Sequence, residues 1–148
     1  MCVKFEGNVF KSGKYWPIEV PALYIITQGK SKRDAYSMIK EAVELHVNRP
    51  RFEVEVVPIS EYKFILRAKK SEDDKYLVAL LLKQQRAKYG LTAQEVARRL
   101  GITKHAYAQY EQARSLPSIT KIEEFVYAMS HKAHFVVNVF EEPKAEAK

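Results

Sequence analysis

Between Leu91 and Ser118 the chain reads LTAQEVARRLGITKHAYAQYEQARSLPS, and this stretch leaves the backbone few options. Thr92 stands three residues before Glu95, the spacing at which a hydroxyl and a carboxylate satisfy free amides at a helix start. Val96, Ala97 and Leu100 give that helix one apolar face, and Gly101 supplies the left-handed residue that ends it after only about two turns. Ile102 is expected to plug the angle that follows. Thr103 then caps a second short helix, with Tyr107 and Tyr110 inward. The small Ala97 sits where two helices must cross closely. Pro117-Ser118 breaks the chain before a further helix, Ile119 to His131, with Ile122, Phe125, Val126 and Met129 as its core face. Upstream, Tyr76, Leu77, Ala79, Leu80, Leu81 and Ala87 predict a helix ending at Lys88-Tyr89-Gly90, with Gly90 just past its end.

Charge separates this half from the other. Residues 75–134 hold 10 basic and 4 acidic side chains, a net +6, whereas residues 1–74 hold 13 and 11, and the tail from Phe135 holds 2 and 3. A cationic segment this short is either a solvated face or the footprint of a phosphate-backbone binder. The run KKSEDDK, Lys69 to Lys75, has no apolar residue and marks the boundary, with a linker expected over 71–75. The apolar runs, among them Tyr76 to Leu82 and Phe135 to Val137, are far shorter than the roughly 18 residues a spanning helix needs. The start, MCVKFEGNVF, has no signal-peptide core, so no membrane partner and a cytoplasmic location are expected. Cys2 is the single cysteine and receives no role.

The first half reads β-β-β-α-β-β. Val3 to Phe10 and Tyr15 to Val20 flank the turn Lys11-Ser12-Gly13-Lys14, and Tyr24 to Thr27 adds a short strand. Ser31 caps a helix whose apolar positions are Ala35, Met38, Ile39, Ala42, Val43 and Leu45, with Lys32, Lys40, Glu41 and Glu44 outward; Asn48-Arg49-Pro50 stops it. Phe52, Val54, Val56 and Pro58 alternate with Glu53, Glu55 and Val57, and Tyr62, Phe64 and Leu66 offer a last strand. The fold class is therefore α+β: a sheet with one helix over residues 1–70, an all-α domain over 76–134, an added strand at 135–140 and a frayed tail at 141–148.

The spaced anchors Arg86, Gly90-Leu91-Thr92, Glu95-Val96-Ala97, Leu100-Gly101-Ile102-Thr103, Tyr110-Glu111 and Pro117-Ser118 resemble the Xre family of Cro and lambda-repressor-like helix-turn-helix domains. The resemblance implies an ion pair between Arg86 and Glu111 and double-stranded operator DNA as partner. Lys104, His105, Ala106 and Gln109 would read base edges from the second short helix, since Gln pairs with adenine, Lys reaches guanine and Ala packs on a thymine methyl. Thr92, Gln94, Arg98, Thr103 and Arg114 would position phosphates. The family has Gly after the recognition helix where this chain has Gln112-Ala113-Arg114, so a different loop path before Pro117 is expected.

The first half resembles HicB antitoxins. Phe5-Glu6-Gly7, Tyr15 to Leu23 (YWPIEVPAL), Thr27 to Ser31 (TQGKS), Ala35 and Glu41 to Leu45 (EAVEL) carry the likeness. It implies a truncated RNase H-like β-β-β-α-β domain, a HicA-like mRNA-cleaving toxin as partner, and repression of the protein's own operon. Trp16 and Tyr24 are the candidate toxin contacts. A free-standing regulator whose first domain senses a small ligand is the alternative. Nuclease chemistry would need acidic side chains converging on two metals, and Glu6, Glu19, Asp34 and Glu53 each have an ordinary surface or helix-dipole explanation, so no enzyme is expected. His131 and His134 lack a third local ligand, so neither a metal nor a cofactor is assigned. Five of the six residues Phe135 to Phe140 are β-branched or aromatic, so an added strand is expected; pairing between chains would build a homodimer or higher oligomer, and the alternative is that it joins the first-half sheet of its own chain.

Overall fold

The computed structural model describes residues 3–143; Cys2 and the tail residues 144–148 lie outside them. The chain forms two compact units, one of residues up to Ser71 with those from Asn138 onward, the other Glu72–Val137.

In the first unit the strands are β1 (Lys4–Val9), β2 (Trp16–Val20), β3 (Ile25–Gly29), β4 (Val54–Pro58) and β5 (Lys63–Ala68), with helix α1 (Lys32–Val47) between β3 and β4. They make one sheet in the order β3-β2-β1-β5-β4, each neighbouring pair antiparallel. Gly13 takes φ +60° in the turn between β1 and β2, closed by paired bonds between Ser12 and Tyr15. The chain after α1 reaches the sheet edge as β4 and returns as β5 into its middle. That central place suits the sequence of β5, in which Phe64, Ile65, Leu66 and Ala68 are all buried.

Alternation sets the two faces. Phe5, Val9, Ile18, Val20, Ile25, Val54, Phe64 and Leu66 are buried on the face covered by α1, whose Ala35, Ile39 and Val43 recur at four-residue spacing. The ring of Phe64 lies over Gly7, its register partner, and meets Tyr36 of α1 edge-on at 5.9 Å. The helix starts where the sequence places it: the Ser31 hydroxyl accepts from the Asp34 amide at 3.0 Å, and Asn48 ends it in the left-handed region at φ 52°.

Four expectations are corrected. Met38 and Leu45 are exposed, 37% and 69%, because the buried stripe is narrower than the run of apolar residues. Glu44 does not point outward; its Oε2 accepts the Val54 amide at 2.9 Å and the Lys40 ammonium at 2.6 Å, so it caps the start of β4. Asp74 and Lys75 are not linker. A 3-10 turn spans Ser71–Asp73 and helix α2 (Asp74–Lys88) follows at once, with Asp74 buried. Phe135 to Phe140 forms no strand among the described residues. Asn138 Nδ2 instead donates to Glu6 Oε2 at 3.2 Å and Glu142 lies 3.9 Å from Arg67 Nη1, side chains of β1 and β5. Both strands are already paired on their two sides, and a segment lying across a sheet face makes no ladder bonds.

Gly29 is the tightest contact between helix and sheet, since a Cβ there would stand 2.3 Å from Ala35 N and 2.7 Å from Ala35 Cα. These are backbone atoms that cannot move alone. Gly29→Ala is expected to destabilise the first unit by about 3 kcal/mol, the upper range for overpacking, and urea unfolding followed by circular dichroism checks it.

Candidate nucleic-acid interface

The second unit contains α2, α3 (Ala93–Leu100), α4 (Lys104–Glu111) and α5 (Ile119–Met129). Its ends follow local chemistry. Gly90 takes φ +64° after α2, and the Leu91 amide returns to Arg86 O. The Thr92 and Thr103 hydroxyls accept from the Glu95 and Ala106 amides, each at 3.1 Å, and Ser118 does the same for Lys121 at 3.2 Å. Gly101, at φ 71°, ends α3, and the Ile102 amide reaches back to Ala97 O.

The inward faces pack closely. Val96 and Ala97 of α3, Tyr107 of α4 and Ile122, Phe125, Val126 and Met129 of α5 are buried. Tyr107 and Phe125 meet edge-on at 5.5 Å. Ile102 does not plug the angle. It is 39% exposed, because the backbone turn closes itself and Tyr107 fills the space between the helices. Tyr110 is half-buried rather than core: its ring lies on Phe125 at 5.2 Å while its hydroxyl meets Lys121 Nζ at 2.9 Å. The fourth helix of this unit ends at Met129, two residues before the expected His131.

Arg86 and Glu111 meet across the unit. Arg86 Nε donates to Glu111 Oε2 at 2.9 Å and Nη2 to Oε1 at 2.8 Å, while Nη1 reaches Leu91 O at 2.9 Å. Glu111 is 6% exposed, and its hydrogen bond holds the Arg86 guanidinium above its ordinary pKa. Burial raises the Tyr107 hydroxyl in the same way, with the adjacent Glu111 carboxylate adding to the rise.

At about 100° per residue, the side of α4 opposite Tyr107 and Glu111 carries His105, Gln109 and Gln112, flanked by Ala106. His105 and Gln112 are exposed there, Ala106 and Gln109 half-exposed, and Lys104 projects from the first turn. Gln112 was not among the residues expected to read bases; it escapes a sequence reading because only the observed end of α4 shows it still on that face. Thr92, Gln94, Arg98, Thr103 and Arg114 are exposed. Arg99, next to Arg98, is turned away instead, donating to Ala128 O at 3.0 Å and Met129 O at 3.3 Å, where it caps α5. No local spacing distinguishes these two arginines.

The loop after α4 keeps the path expected only with glycine. Ala113 takes φ 57°, its amide bonds Tyr110 O and the Arg114 amide bonds Gln109 O at 2.9 Å, the paired closure of a Schellman turn. The expectation of a different path is thus overturned, since paired backbone bonds and a buried methyl hold alanine there.

In the first unit the proposed toxin contacts are not brought together. Trp16 pairs with Gly29 and Tyr24 precedes Ile25, which pairs with Val20, so they stand at opposite ends of the β2–β3 pair, whose span from Trp16 to Val20 alone is about 13 Å at the usual strand rise. The four acidic residues weighed for nuclease chemistry each have a partner of their own: Glu6 with Lys63, Glu19 with Asn8, Asp34 with the Lys30 amide and Glu53 with Lys69.

A family model described as a helix-turn-helix domain matches residues 77–128. Within the second unit α3 and α4 are thus the helix-turn-helix that this family model describes. The chain has no match among curated proteins.

Removing one partner of a buried pair leaves an uncompensated charge. Glu111→Ala is expected to cost about 3 kcal/mol, and Arg86→Met with Glu111→Leu distinctly less than the two single changes summed, in a double-mutant cycle by thermal unfolding. Ala113→Gly is expected to gain about 1 kcal/mol by relieving the left-handed alanine, read in the same melts.

Proposed function

We propose that the protein is a transcription regulator that binds double-stranded operator DNA with α4 in the major groove, and that its first unit is the toxin-binding module of a HicB-like antitoxin. One observation carries the DNA reading: α4 has its inner face fixed by Tyr107 and the Arg86–Glu111 pair, and its outer face carries exposed groups of the types able to hydrogen-bond base edges. The first turn of α4 adds to it. That turn holds Lys104 and His105 and no acid, although a cation there opposes the helix dipole by some tenths of a kcal/mol. A phosphate placed beside that end relieves the conflict. Arg98, with the hydroxyl protons of Thr92 and Thr103, would meet the backbone on either side.

The antitoxin reading rests on the likeness to HicB across residues 5–45 and on a β-β-β-α arrangement standing before a helix-turn-helix. A toxin with a double-stranded-RNA-binding type of surface would be held by the first unit, and operator binding by a homodimer would repress the operon. Half-sites about 34 Å apart, or a multiple of that, match such a dimer.

Gln109→Ala with His105→Ala is expected to reduce discrimination between operator and random DNA by about 1–3 kcal/mol per lost base contact, while Arg98→Ala weakens both alike and lowers the salt slope by about 0.9. Fluorescence anisotropy over a salt series separates the two. Equal affinity of the unaltered protein for promoter and random DNA would remove the operator reading. In cells expressing a HicA-like toxin, a chain ending after Lys70 is expected to restore growth without repressing a promoter reporter; a folded fragment that never restores growth counts against the toxin-binding role.

A further inference from the structure

The two edges of the sheet are finished differently. The bonds Phe10 N to Pro17 O and Lys69 N to Glu53 O fix which residues face inward, and the alternation then places Val54, Val56 and Pro58 on the free side of β4 and Ile26 and Gln28 on the free side of β3. On β4 the Val54 amide is taken by Glu44, and Pro58 has no amide, so that edge is blunted at both ends. Among the described residues nothing similar guards β3. Its sequence, IITQG, has no charge and no proline, and Ile26 is 70% exposed.

The helix points to the same side. Arg33, Tyr36, Ser37 and Lys40 line a cleft against Val54 to Val57, so that flank of α1 faces β4. Met38 and Leu45 lie on average roughly 135° around the helix axis from these residues, on the flank towards β3, and both are exposed. A strand edge ready to pair and two uncovered apolar side chains therefore share one side of the first unit.

We infer that the β3 edge is a homodimer interface, in which β3 of a second copy pairs antiparallel about a two-fold axis at Thr27 and the α1 flanks carrying Met38 and Leu45 meet beside it. The register is self-complementary. With the axis at Thr27, Ile26 of one copy faces Gln28 of the other in a hydrogen-bonded pair, and both residues have their backbone groups on the free side. The two Thr27 residues face each other in the close, non-hydrogen-bonded position, where threonine pairs are favourable. An uncharged strand meets no like-charge repulsion from its own copy, which argues for self-pairing over a partner selected by charge. The inference concerns the first unit alone and supplies the two-fold axis that operator binding uses. Its test contains no DNA, so its failure and that of the operator reading are distinguishable.

The two Thr27 Cα atoms would stand about 4.5 Å apart, within disulfide reach. In the full chain carrying Cys2→Ser, Thr27→Cys is expected to oxidise to a covalent dimer faster than Ile26→Cys or Gln28→Cys, whose copies are offset along the strand. In sedimentation equilibrium the unaltered chain is expected to be a dimer. Ile26→Lys and Leu45→Glu, both at exposed positions, should each raise the dissociation constant about tenfold or more while the chain keeps the far-UV circular dichroism of the unaltered protein. A chain ending at Lys132 should still dimerise. A monomer at the highest soluble concentration, dimerisation undiminished in both substituted chains, no preference for cross-linking at Thr27, or loss of the dimer on ending the chain at Lys132 would each overturn the inference.

Discussion

Glu111 closes α4 with its carboxylate almost wholly withdrawn from water, a position that is costly unless a cation comes with it. Arg86 supplies the charge through two parallel hydrogen bonds, and its remaining nitrogen holds the carbonyl of Leu91, in the turn between α2 and α3. One guanidinium thus ties together the end of α2, the approach to α3 and the end of α4. Tyr107, one turn earlier on the same face of α4, stacks its edge on Phe125 of α5. Helix α4 is therefore held along its inner side by a charge pair and a ring, neither of which touches the outer side. His105, Gln109 and Gln112 lie outside that packing, which is the separation the proposed base reading needs.

What could be read from the sequence is what depends on neighbours in the chain. Ser31, Thr92, Thr103 and Ser118 each bond an amide three residues on, and Gly90 and Gly101 each take a left-handed φ. These devices work within one turn, so residue type and spacing suffice to place them. Arg86 and Glu111 are 25 residues apart in the chain, and only a resemblance joined them in advance. Arg99 on the carbonyls of α5, Glu44 on the amide of Val54 and Lys121 on Tyr110 are long-range meetings of common side chains, with no periodicity to announce them. The strand order belongs to the same class, since alternation gives each strand its faces but not its neighbours.

The misread apolar residues have a physical reason too. A helical pattern marks every apolar residue near one side as core, yet a single helix on a sheet buries only a narrow stripe, here Ala35, Ile39 and Val43. Met38 and Leu45 fall outside it and stay exposed. The same holds for Val136, Val137 and Val139: their β-propensity is real, but propensity does not provide a partner strand. The segment lies instead where Asn138 and Glu142 find Glu6 and Arg67 on an inner part of the sheet, out of reach of any free edge.

Two local rules are broken at the ends of α4. Lys104 places a cation against the positive end of the helix dipole, and Ala113 occupies a left-handed position that glycine fills at less cost. Each costs some tenths to about 1 kcal/mol, less than the loss of the buried ion pair would. Since α4 is fixed through Tyr107 and Glu111, its ends are free to carry unfavourable residues without unwinding. At the first turn the lysine and the helix N-terminus both present positive charge, which is what the proposed phosphate contact would use. At the other end the alanine methyl is buried, so packing offsets part of the strain while the two return bonds from Ala113 and Arg114 keep the turn closed and leave the Arg114 side chain exposed beside the reading face.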